Sequence, residues 1–449
     1  MLLRFVISNF LSFKDETEFN MLTGNFKIHP SHVFQRHGFE VLKAAAIYGA
    51  NGAGKSNLIK AISFFKDIIE KGSLTELPPK HKAAPEMLAK PTSFEIEFLT
   101  DSASYYYRIE INGGKILNEG LMKTALDRDD EIIFERTTDV LEQQKLELNS
   151  RFLESEQDRV RKQLLEDEFL IANVPFLSII PRLKETKMRE VVDAYQWITR
   201  QLIIVFPHTK PDYILSTFIF RKQFHQFSNQ LMCDFDTGIV SMDVEDLTLE
   251  AYFGKDNIKE AKITADKLST APTYVEVATD AIAVLKDKVP VIKKLYMTHK
   301  GIGGQSIKFE LSEESDGTRR LFNYIPALYL LLFRNAVVLF DEIDQSIHSY
   351  LLKNLLKKIM DQTHSTGQII FTAHESNLLD LGLFRQDEIW FARKDSEGRT
   401  KFHSLSEFKP RYDLDIRKGY LNGRFEAIPD TTDLSNANWN KYATKESGI

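Results

Sequence analysis

Gly49-Ala-Asn-Gly-Ala-Gly-Lys-Ser56 is the stretch that decides the fold, because it matches the pattern G-x-x-x-x-G-K-[ST] in full. The apolar run Val41–Tyr48 predicts a buried strand before it, and the apolar spacing of Asn57–Glu70 predicts a helix directly after it. Glycines let the backbone curl so that several N–H groups point at phosphate oxygens, and the helix dipole favours the negative charge. A purely structural glycine turn is the alternative. The order of strand, glycine loop and helix favours a nucleotide-binding α/β protein.

This phosphate loop and the start of its helix supply the predicted nucleotide contacts. Lys55 would reach the β- and γ-phosphates and take part in catalysis, and the Ser56 hydroxyl would ligate Mg²⁺. The predicted ATP-binding residues are Gly49, Asn51, Gly52, Ala53, Gly54, Lys55, Ser56 and Asn57. The expected cofactors are therefore ATP and Mg²⁺.

A second signal is an apolar run that ends in two acids, Val337-Val-Leu-Phe-Asp341-Glu342. Ligands of open α/β sheets bind beyond the carboxyl ends of the strands. Asp341 is the predicted metal ligand, directly or through water, and Glu342 is predicted to orient or deprotonate the attacking water. An apolar run followed by acids can also simply end a strand. Together with the phosphate loop, it indicates a hydrolytic site.

His374 is the third candidate, because it follows the next apolar run, Gln368–Thr372. A histidine at the end of a strand beside the acid strand can contact the γ-phosphate and sense its loss. The alternative is a structural histidine whose ring nitrogens are hydrogen-bonded within the protein. The position of His374, after the helix and strand that follow Glu342, favours a catalytic role at the phosphate. The other histidines form no metal-ligand cluster with His374.

A fourth signal, Glu314-Ser-Asp-Gly-Thr-Arg-Arg320, precedes the predicted helix that leads to the acid strand. Ser315, Gly317 and the start of that helix would form a second anion-binding element. A serine before a helix is also ordinary capping chemistry. The segment by itself does not decide between these two interpretations.

The order of the four signals resembles that of ABC-type ATPases of the SMC and RecF class. In that family the signature of one subunit closes over the ATP held by another, so the resemblance implies that Ser315, Gly317 and Thr318 act in trans. It also implies that Asp344 lies in the loop joining the two sites. The sequence departs from the common signature Leu-Ser-Gly-Gly-Gln, because Asp316 replaces the first glycine and Thr318 the glutamine. A composite site makes a homodimer or a larger even-numbered assembly the expected unit.

A narrower resemblance covers nearly the whole chain. It is carried by Arg4–Phe13, Phe235–Ile239, Glu314–Leu321, Asp341–His348, Arg385–Phe391 and Tyr420–Phe425. These segments resemble the bacterial AAA-15/AAA-21 group of ABC ATPases, which is related to the OLD nucleases and includes ATPase subunits of PARIS, Septu and abortive-infection systems. The resemblance implies a sensor-switch ATPase in anti-phage defence that controls a toxic effector, with DNA or a phage-encoded molecule as the trigger.

The effector is expected to be a separate protein, a nuclease or a toxin. OLD-type nucleases carry a Toprim domain after the ATPase, and the residues after His374 leave no room for one. Two alternatives stay open: a RecF/SMC-like DNA-repair ATPase and an ATP-gated scaffold with little turnover. Glu342 argues against an inert scaffold, and the net charge of −6 gives nucleic-acid binding no support from bulk charge.

The predicted fold class is α/β: an ABC-type ATPase head, with a mixed sheet around the phosphate loop and an inserted helical lobe or short arm. A chain of 449 residues exceeds the size of one compact core. Leu141–Glu168 is rich in charged residues and leucine and predicts a helix. The predicted parts are therefore 1–140 and 301–425 for the head, 141–300 for a helical or mixed lobe, and 426–449 for a polar tail.

Composition predicts a soluble cytoplasmic protein with no membrane partner. Hydrophobic residues make up 43% and charged residues 27%, as in ordinary globular proteins. The single cysteine, Cys233, fits a reducing compartment. The most apolar stretch, Leu321–Phe340, is interrupted by polar residues and falls short of the ~20 apolar residues of a membrane helix.

Overall fold

A computed structural model of the chain describes residues 1–139, 141–183, 187–271, 273–362, 364–411 and 414–428. Its strands are β1 (Leu2–Ser8), β2 (Thr17–Asn20), β3 (Val33–Arg36), β4 (Phe39–Leu42), β5 (Ala44–Gly49), β6 (Thr92–Leu99), β7 (Ser104–Asn112), β8 (Lys115–Thr124), β9 (Glu131–Thr138), β10 (Gln144–Leu148), β11 (Leu202–Val205), β12 (Ile239–Thr248), β13 (Tyr274–Ala278), β14 (Ala281–Lys286), β15 (Val289–Lys300), β16 (Ser306–Glu310), β17 (Val337–Phe340), β18 (Gln368–Thr372), β19 (Ile389–Lys394) and β20 (Thr400–Ser404). Its α-helices are α1 (Lys55–Lys71), α2 (Glu156–Leu164), α3 (Phe176–Ile179), α4 (Arg189–Gln196), α5 (Ile214–Phe220), α6 (Lys222–Asp234), α7 (Leu249–Phe253), α8 (Ile258–Thr270), α9 (Asp316–Arg334), α10 (Ser349–Met360) and α11 (Ile416–Leu421). Most of the predicted tail, residues 429–449, lies outside the described ranges.

The central sheet has the strand order β11-β17-β18-β5-β19-β20. Its first five strands run parallel, and β20 pairs antiparallel with β19. Every residue of β5, β17 and β18 is buried, because parallel sheets are covered on both faces. The carboxyl ends of these three neighbouring strands therefore open at one edge of the sheet, where the predicted site residues follow.

A second, antiparallel sheet has the order β10-β9-β8-β7-β6-β1-β2. Buried and less buried residues alternate along β6, as expected of a strand with one face on a core. Phe65 of α1 packs on this face, with ring centroids 6.0 Å from Phe5 and 5.8 Å from Tyr107. Helix α1 thus lies between the two sheets and is held by both.

The fold class predicted from sequence is confirmed, since a phosphate-loop turn joins the parallel sheet to α1. The predicted helix over Leu141–Glu168 is wrong in its first part. Strand β10 pairs with β9 and buries Leu146, and α2 begins only at Glu156. Edge pairing and burial of Leu146 override the helical preference of this charge-rich segment.

Between β11 and β17 the chain forms a third sheet, in the order β12-β15-β14-β13 with β16 beside β15, and the helices α5 to α8. The predicted division of the chain at residues 140 and 300 stays a prediction. Within the described ranges, no helix is both long enough and apolar enough to cross a bilayer.

Gln368, the first residue of β18, joins the two large sheets. Its side chain is fully buried. The amide oxygen accepts the backbone N–H of Leu2 at 2.8 Å, and the amide nitrogen donates to the carbonyls of Leu2 at 3.1 Å and Leu42 at 2.7 Å. One side chain therefore satisfies three buried backbone groups that belong to different layers.

We expect Gln368→Leu to lower the free energy of unfolding by about 2 kcal/mol or more, because each backbone group left unpaired in the core costs about 1–3 kcal/mol. Urea denaturation followed by circular dichroism measures this loss. Gln201→Leu is the matched control, since Gln201 is exposed and its replacement should change stability by less than about 0.5 kcal/mol. Equal stability of the two variants would contradict this account of the sheet junction.

Candidate functional site

The loops after β5, β17 and β18 meet at a cavity of about 610 Å³. The residues that line it are Ala50, Asn51, Gly52, Ala53, Gly54, Lys55, Ser56, Asn57, Lys60, Glu342 and His374. Most of the predicted site residues are therefore brought together, although they come from separate parts of the chain. Gly49 and Asp341 lie next to lining residues but do not line the cavity themselves.

The phosphate loop needs glycine at Gly54 for two reasons. Its φ of 106° lies in the left-handed region, and a Cβ there would lie 2.0 Å from the Thr400 hydroxyl oxygen. That hydroxyl donates to the carbonyl of Ala53 at 2.8 Å and contacts the Ser12 hydroxyl at 2.6 Å. The Asn57 amide also donates to Ser12, at 2.7 Å. The loop is thus fastened from behind by Ser12 and Thr400, neither of which is among the predicted site residues.

Lys55 begins α1, and its side chain is buried against the loop. Its Nζ donates to the carbonyls of Gly49 at 2.7 Å and Ala50 at 3.2 Å. Burial lowers the pKa of Lys55, and the acids Asp344, Glu342 and Asp341 partly counteract this by raising it. A polyanion in the cavity would compete for this ammonium group with two neutral carbonyls.

Thr372, the last residue of β18, fixes both acids at the end of β17. Its hydroxyl donates to Asp341 Oδ1 at 2.7 Å and accepts the backbone N–H of Glu342 at 2.7 Å. Glu342 has a φ of 52°, a left-handed conformation that a non-glycine residue rarely adopts. The hydrogen bond from its amide to Thr372 helps to hold that conformation. Sequence reasoning missed this role, and the only available signal was a hydroxyl residue at the end of a buried strand.

His374 and Glu342 face each other at the cavity. His374 Nε2 lies 3.5 Å from Glu342 Oε1, and both side chains are partly exposed. Asp344 Oδ2 accepts the backbone N–H groups of His374 at 2.7 Å and Glu375 at 2.6 Å. Asp344, in the loop after β17, therefore holds the backbone of the loop after β18 through these two hydrogen bonds.

The segment Ser315–Thr318 lies at the start of α9 and does not line the cavity of its own chain. Ser315 caps the helix, because its hydroxyl accepts the Thr318 backbone N–H at 3.1 Å. A Cβ on Gly317 would lie 2.6 Å from the carbonyl oxygen of Ser346. The start of α9 thus packs directly on the loop that carries Glu342 and Asp344.

The oxygen donors at the carboxyl edge of the central sheet fit a Mg²⁺ ion that also binds phosphate oxygens of a nucleotide. Mg²⁺ typically takes one or two protein oxygens together with substrate phosphates. Ser56 offers a hydroxyl at the cavity, and Asp341 a carboxylate beside it. In the described part of the chain, no group of three or more His, Cys, Asp or Glu residues could hold a metal ion by itself. The donor set therefore suits Mg²⁺ bound to a nucleotide.

Comparisons with solved structures give weak similarities. The SMC head domain from Thermotoga maritima aligns with 13% identity over 90% of this chain and 98% of that chain, with a TM-score of 0.37. An Smc head domain with an extended coiled coil, bound to the C-terminal domain of ScpA derived from Pyrococcus furiosus, aligns with 12% identity over 91% and 97%, with a TM-score of 0.39. TM-scores this low do not establish a common fold, so the fold assignment rests on the chain's own sheet order.

Sequence comparison identifies the family. No curated protein sequence matches the chain significantly. The profile of one family, described as "AAA domain, putative AbiEii toxin, Type IV TA system", matches residues 44–171 and 237–380. These two ranges cover well over half of the chain and contain the phosphate loop, the Ser315 segment, both acids and His374. The resemblance to the AAA-15/AAA-21 group is thereby confirmed, and the chain belongs to this family of AAA-domain ATPases.

Proposed function

We propose that the chain is an ATP hydrolase of the ABC type whose complete site forms between two subunits. The observation that carries this proposal is the cavity itself. It combines the phosphate loop, which provides backbone N–H groups and Lys55, with the facing pair of Glu342 and His374. In-line attack of water on a γ-phosphate requires groups that bind the phosphates and a carboxylate that can orient the attacking water. The cavity has both, on opposite sides.

Each residue has a role that follows from its position. The loop amides and the Lys55 ammonium group bind the phosphates, and Lys55 leaves the carbonyls of Gly49 and Ala50 to do so. Mg²⁺ held by Ser56 and Asp341 would neutralise charge on the phosphate oxygens. Glu342 orients or deprotonates the attacking water, and the Thr372 hydroxyl holds the Glu342 backbone amide. His374 contacts the γ-phosphate and loses a partner when that phosphate leaves.

The Ser315 segment supports a site completed in trans. Ser315, Gly317 and Thr318 line no part of their own chain's cavity. Ser315 is exposed at the start of α9, where the helix dipole favours an anion. We propose that it binds the γ-phosphate held by a second copy. The contact between Gly317 and Ser346 would then couple each signature to the acids of its own subunit.

At the level of the cell, we propose a sensor-switch role in anti-phage defence. The description of the matched family names a toxin of a type IV toxin–antitoxin system, which supports a role in growth arrest. In this proposal a homodimer or larger even-numbered assembly holds or releases a separate effector, a nuclease or a toxin, according to its nucleotide state. DNA or a phage-encoded molecule would be the trigger.

We expect wild-type protein to hydrolyse ATP with Mg²⁺, and Lys55→Ala to lose both binding and turnover because the phosphates lose their cation. Glu342→Gln should bind ATP, turn over at least about 100-fold more slowly because it loses a general base, and double its native mass in ATP. Steady-state ATPase rates and light scattering measure these effects. Lys71→Ala is the control, since Lys71 lies on the same helix at the surface. Wild-type protein that binds no nucleotide would refute the proposal.

A mixing experiment tests whether the site is completed in trans. Ser315→Asp keeps a residue that caps helices well but puts a carboxylate against the γ-phosphate, so it should be inactive alone, as should Lys55→Ala. Equal mixtures should recover roughly a quarter of wild-type activity, because half of the dimers are mixed and each mixed dimer has one intact site. No recovery in mixtures that demonstrably exchange subunits would place the whole site in one chain.

Thr372→Val tests the positioning of the acids. The change removes the hydroxyl that contacts Asp341 and the Glu342 amide while nearly preserving side-chain volume. We expect kcat to fall at least tenfold, or by about 1.4 kcal/mol, with a smaller change in KM. Thr137→Val, at an exposed strand position, is the control for the same substitution. Unchanged kcat in Thr372→Val would show that Glu342 needs no support from this hydroxyl.

A further inference from the structure

A second cavity, of about 560 Å³, lies between the helix pair α5–α6 and the second half of α9. Residues within 212–224 line one wall, and residues within 326–334 line the other. We call it the α5–α9 cavity. It shares no lining residue with the nucleotide cavity, and its volume is typical of a ligand site. It is therefore a candidate for a second binding site.

Three cationic side chains line the α5–α9 cavity: Arg221, Lys222 and Arg334. All three residues are exposed, and in the part of the chain that the structure describes none of these side chains has a hydrogen bond or an ion pair. Among the described residues of the lining, only Asp212 is acidic. Three cations against one acid give the cavity an excess of positive charge, which attracts an anion.

Aromatic rings lie beside these cations. Tyr213 and Phe220 on one wall are 60% and 49% exposed, and Tyr329 is part of the other wall. Phe224 packs edge-on against Tyr329, with the ring centroids 5.1 Å apart. Phe333, whose ring lies 5.0 Å from that of Tyr329, is 55% exposed. Aromatic rings on which bases stack, next to cations that bind phosphates, are typical of sites for single-stranded nucleic acid.

Tyr213 has a backbone conformation that is unfavourable for its residue type. Its φ of 62° lies in the left-handed region, which an aromatic residue rarely adopts. The Tyr213 N–H donates to Glu276 Oε1 at 2.9 Å. The Tyr213 carbonyl accepts the Ser216 hydroxyl at 3.0 Å and the Thr217 N–H at 2.9 Å. A large, exposed ring that is kept at a strained position indicates a role other than stability of the fold.

An acidic protein segment is the other class of ligand that the cations could bind. The exposed rings favour a nucleic acid, because every base has a flat face that stacks on an aromatic ring, whereas an acidic side chain has none. Phe333 extends the aromatic surface of Tyr329 beyond the lining of the cavity, so that more than one base finds a ring. The α5–α9 cavity therefore fits a strand of nucleotides better than an acidic peptide.

We propose that the α5–α9 cavity binds single-stranded nucleic acid, with phosphates at Arg221, Lys222 and Arg334 and a base stacked on Tyr213. This gives the nucleic-acid trigger of the proposed function a site on the chain, and in that respect it rests on that function. The binding itself requires no ATP hydrolysis. Helix α9 begins directly after Ser315 and ends at Arg334, so a bound strand contacts the helix that carries the proposed signature.

Arg221→Glu combined with Arg334→Glu tests the charged part of the site. We expect the Kd for a fluorescein-labelled oligothymidylate of about 20 nucleotides to rise at least about tenfold, because phosphate contacts are replaced by repulsion. Fluorescence anisotropy in about 0.1 M salt measures this Kd. Lys259→Glu combined with Lys262→Glu is the matched control. It changes the net charge equally at exposed positions of α8 outside the lining, and Kd should change less than about twofold.

Tyr213→Asn separates binding from folding. Asparagine adopts the left-handed conformation more easily than tyrosine, so the thermal midpoint Tm should be unchanged or higher. The strand loses a stacked base, so Kd should rise at least about fivefold. Tyr350→Asn is the control, since Tyr350 is 71% exposed outside the lining, and it should leave Kd unchanged. Wild-type affinity in Tyr213→Asn would show that Tyr213 stacks on no base and would overturn the proposal.

Lys55→Ala distinguishes the α5–α9 cavity from the phosphate loop. It should bind the oligonucleotide like wild type, because Lys55 lines the other cavity. Loss of this binding in Lys55→Ala overturns the proposal, and so does an equal loss in the two double variants. These results leave the ATPase proposal standing, since that proposal is tested by the rates measured with ATP.

The choice of probe tests the class of ligand. The same titration with oligouridylate shows whether the strand that binds is DNA or RNA, and wild-type protein that binds neither overturns the proposal. A labelled oligoglutamate peptide is the third probe. If wild type binds only this peptide, and Arg221→Glu with Arg334→Glu abolishes the binding, the cavity takes an acidic protein segment and the nucleic-acid proposal is wrong.

Discussion

The position of β18 between β5 and β17 is the constraint on which the site depends. Its backbone bonds extend past the strands into the loops: the Ala373 N–H donates to Ile47 at 3.1 Å, and the Ile343 N–H donates to Thr372 at 3.0 Å. Parallel pairing puts the three carboxyl ends at one edge. Phosphate loop, acids and histidine therefore meet at one edge of the sheet.

In a sheet that is buried on both faces, each polar side chain needs a hydrogen-bond partner inside the protein. Two polar residues of β18 meet this need in ways that shape the site. Gln368 opens β18 and Thr372 closes it, and both are fully buried. The Gln368 amide bonds to backbone groups of Leu2 and Leu42, whereas the Thr372 hydroxyl bonds to the Asp341 carboxylate and the Glu342 backbone amide. One five-residue strand thus fastens the two large sheets at one end and orders the candidate catalytic carboxylates at the other.

The sequence predicted those features that are local. The phosphate loop, α1, the strand that ends in Asp341 and the helix after Ser315 are each encoded by a short run of residues with its own spacing, and the structure has them where expected. Contacts between distant segments could not be predicted. Ser12 and Thr400 meet behind the loop although hundreds of residues separate them. β10 is a strand only because β9 offers an edge.

How two subunits would face each other also could not be predicted from the sequence of a single chain. Ser315 does not line the cavity of its own subunit, so its proposed role depends on a second copy. The most direct measurement is a cryo-EM or crystal structure of Glu342→Gln with ATP and Mg²⁺. We expect two chains face to face, with each γ-phosphate between Lys55 of one subunit and Ser315 of the other. Nucleotide bound in the cavity of a lone chain, with Ser315 far from any phosphate, would contradict it.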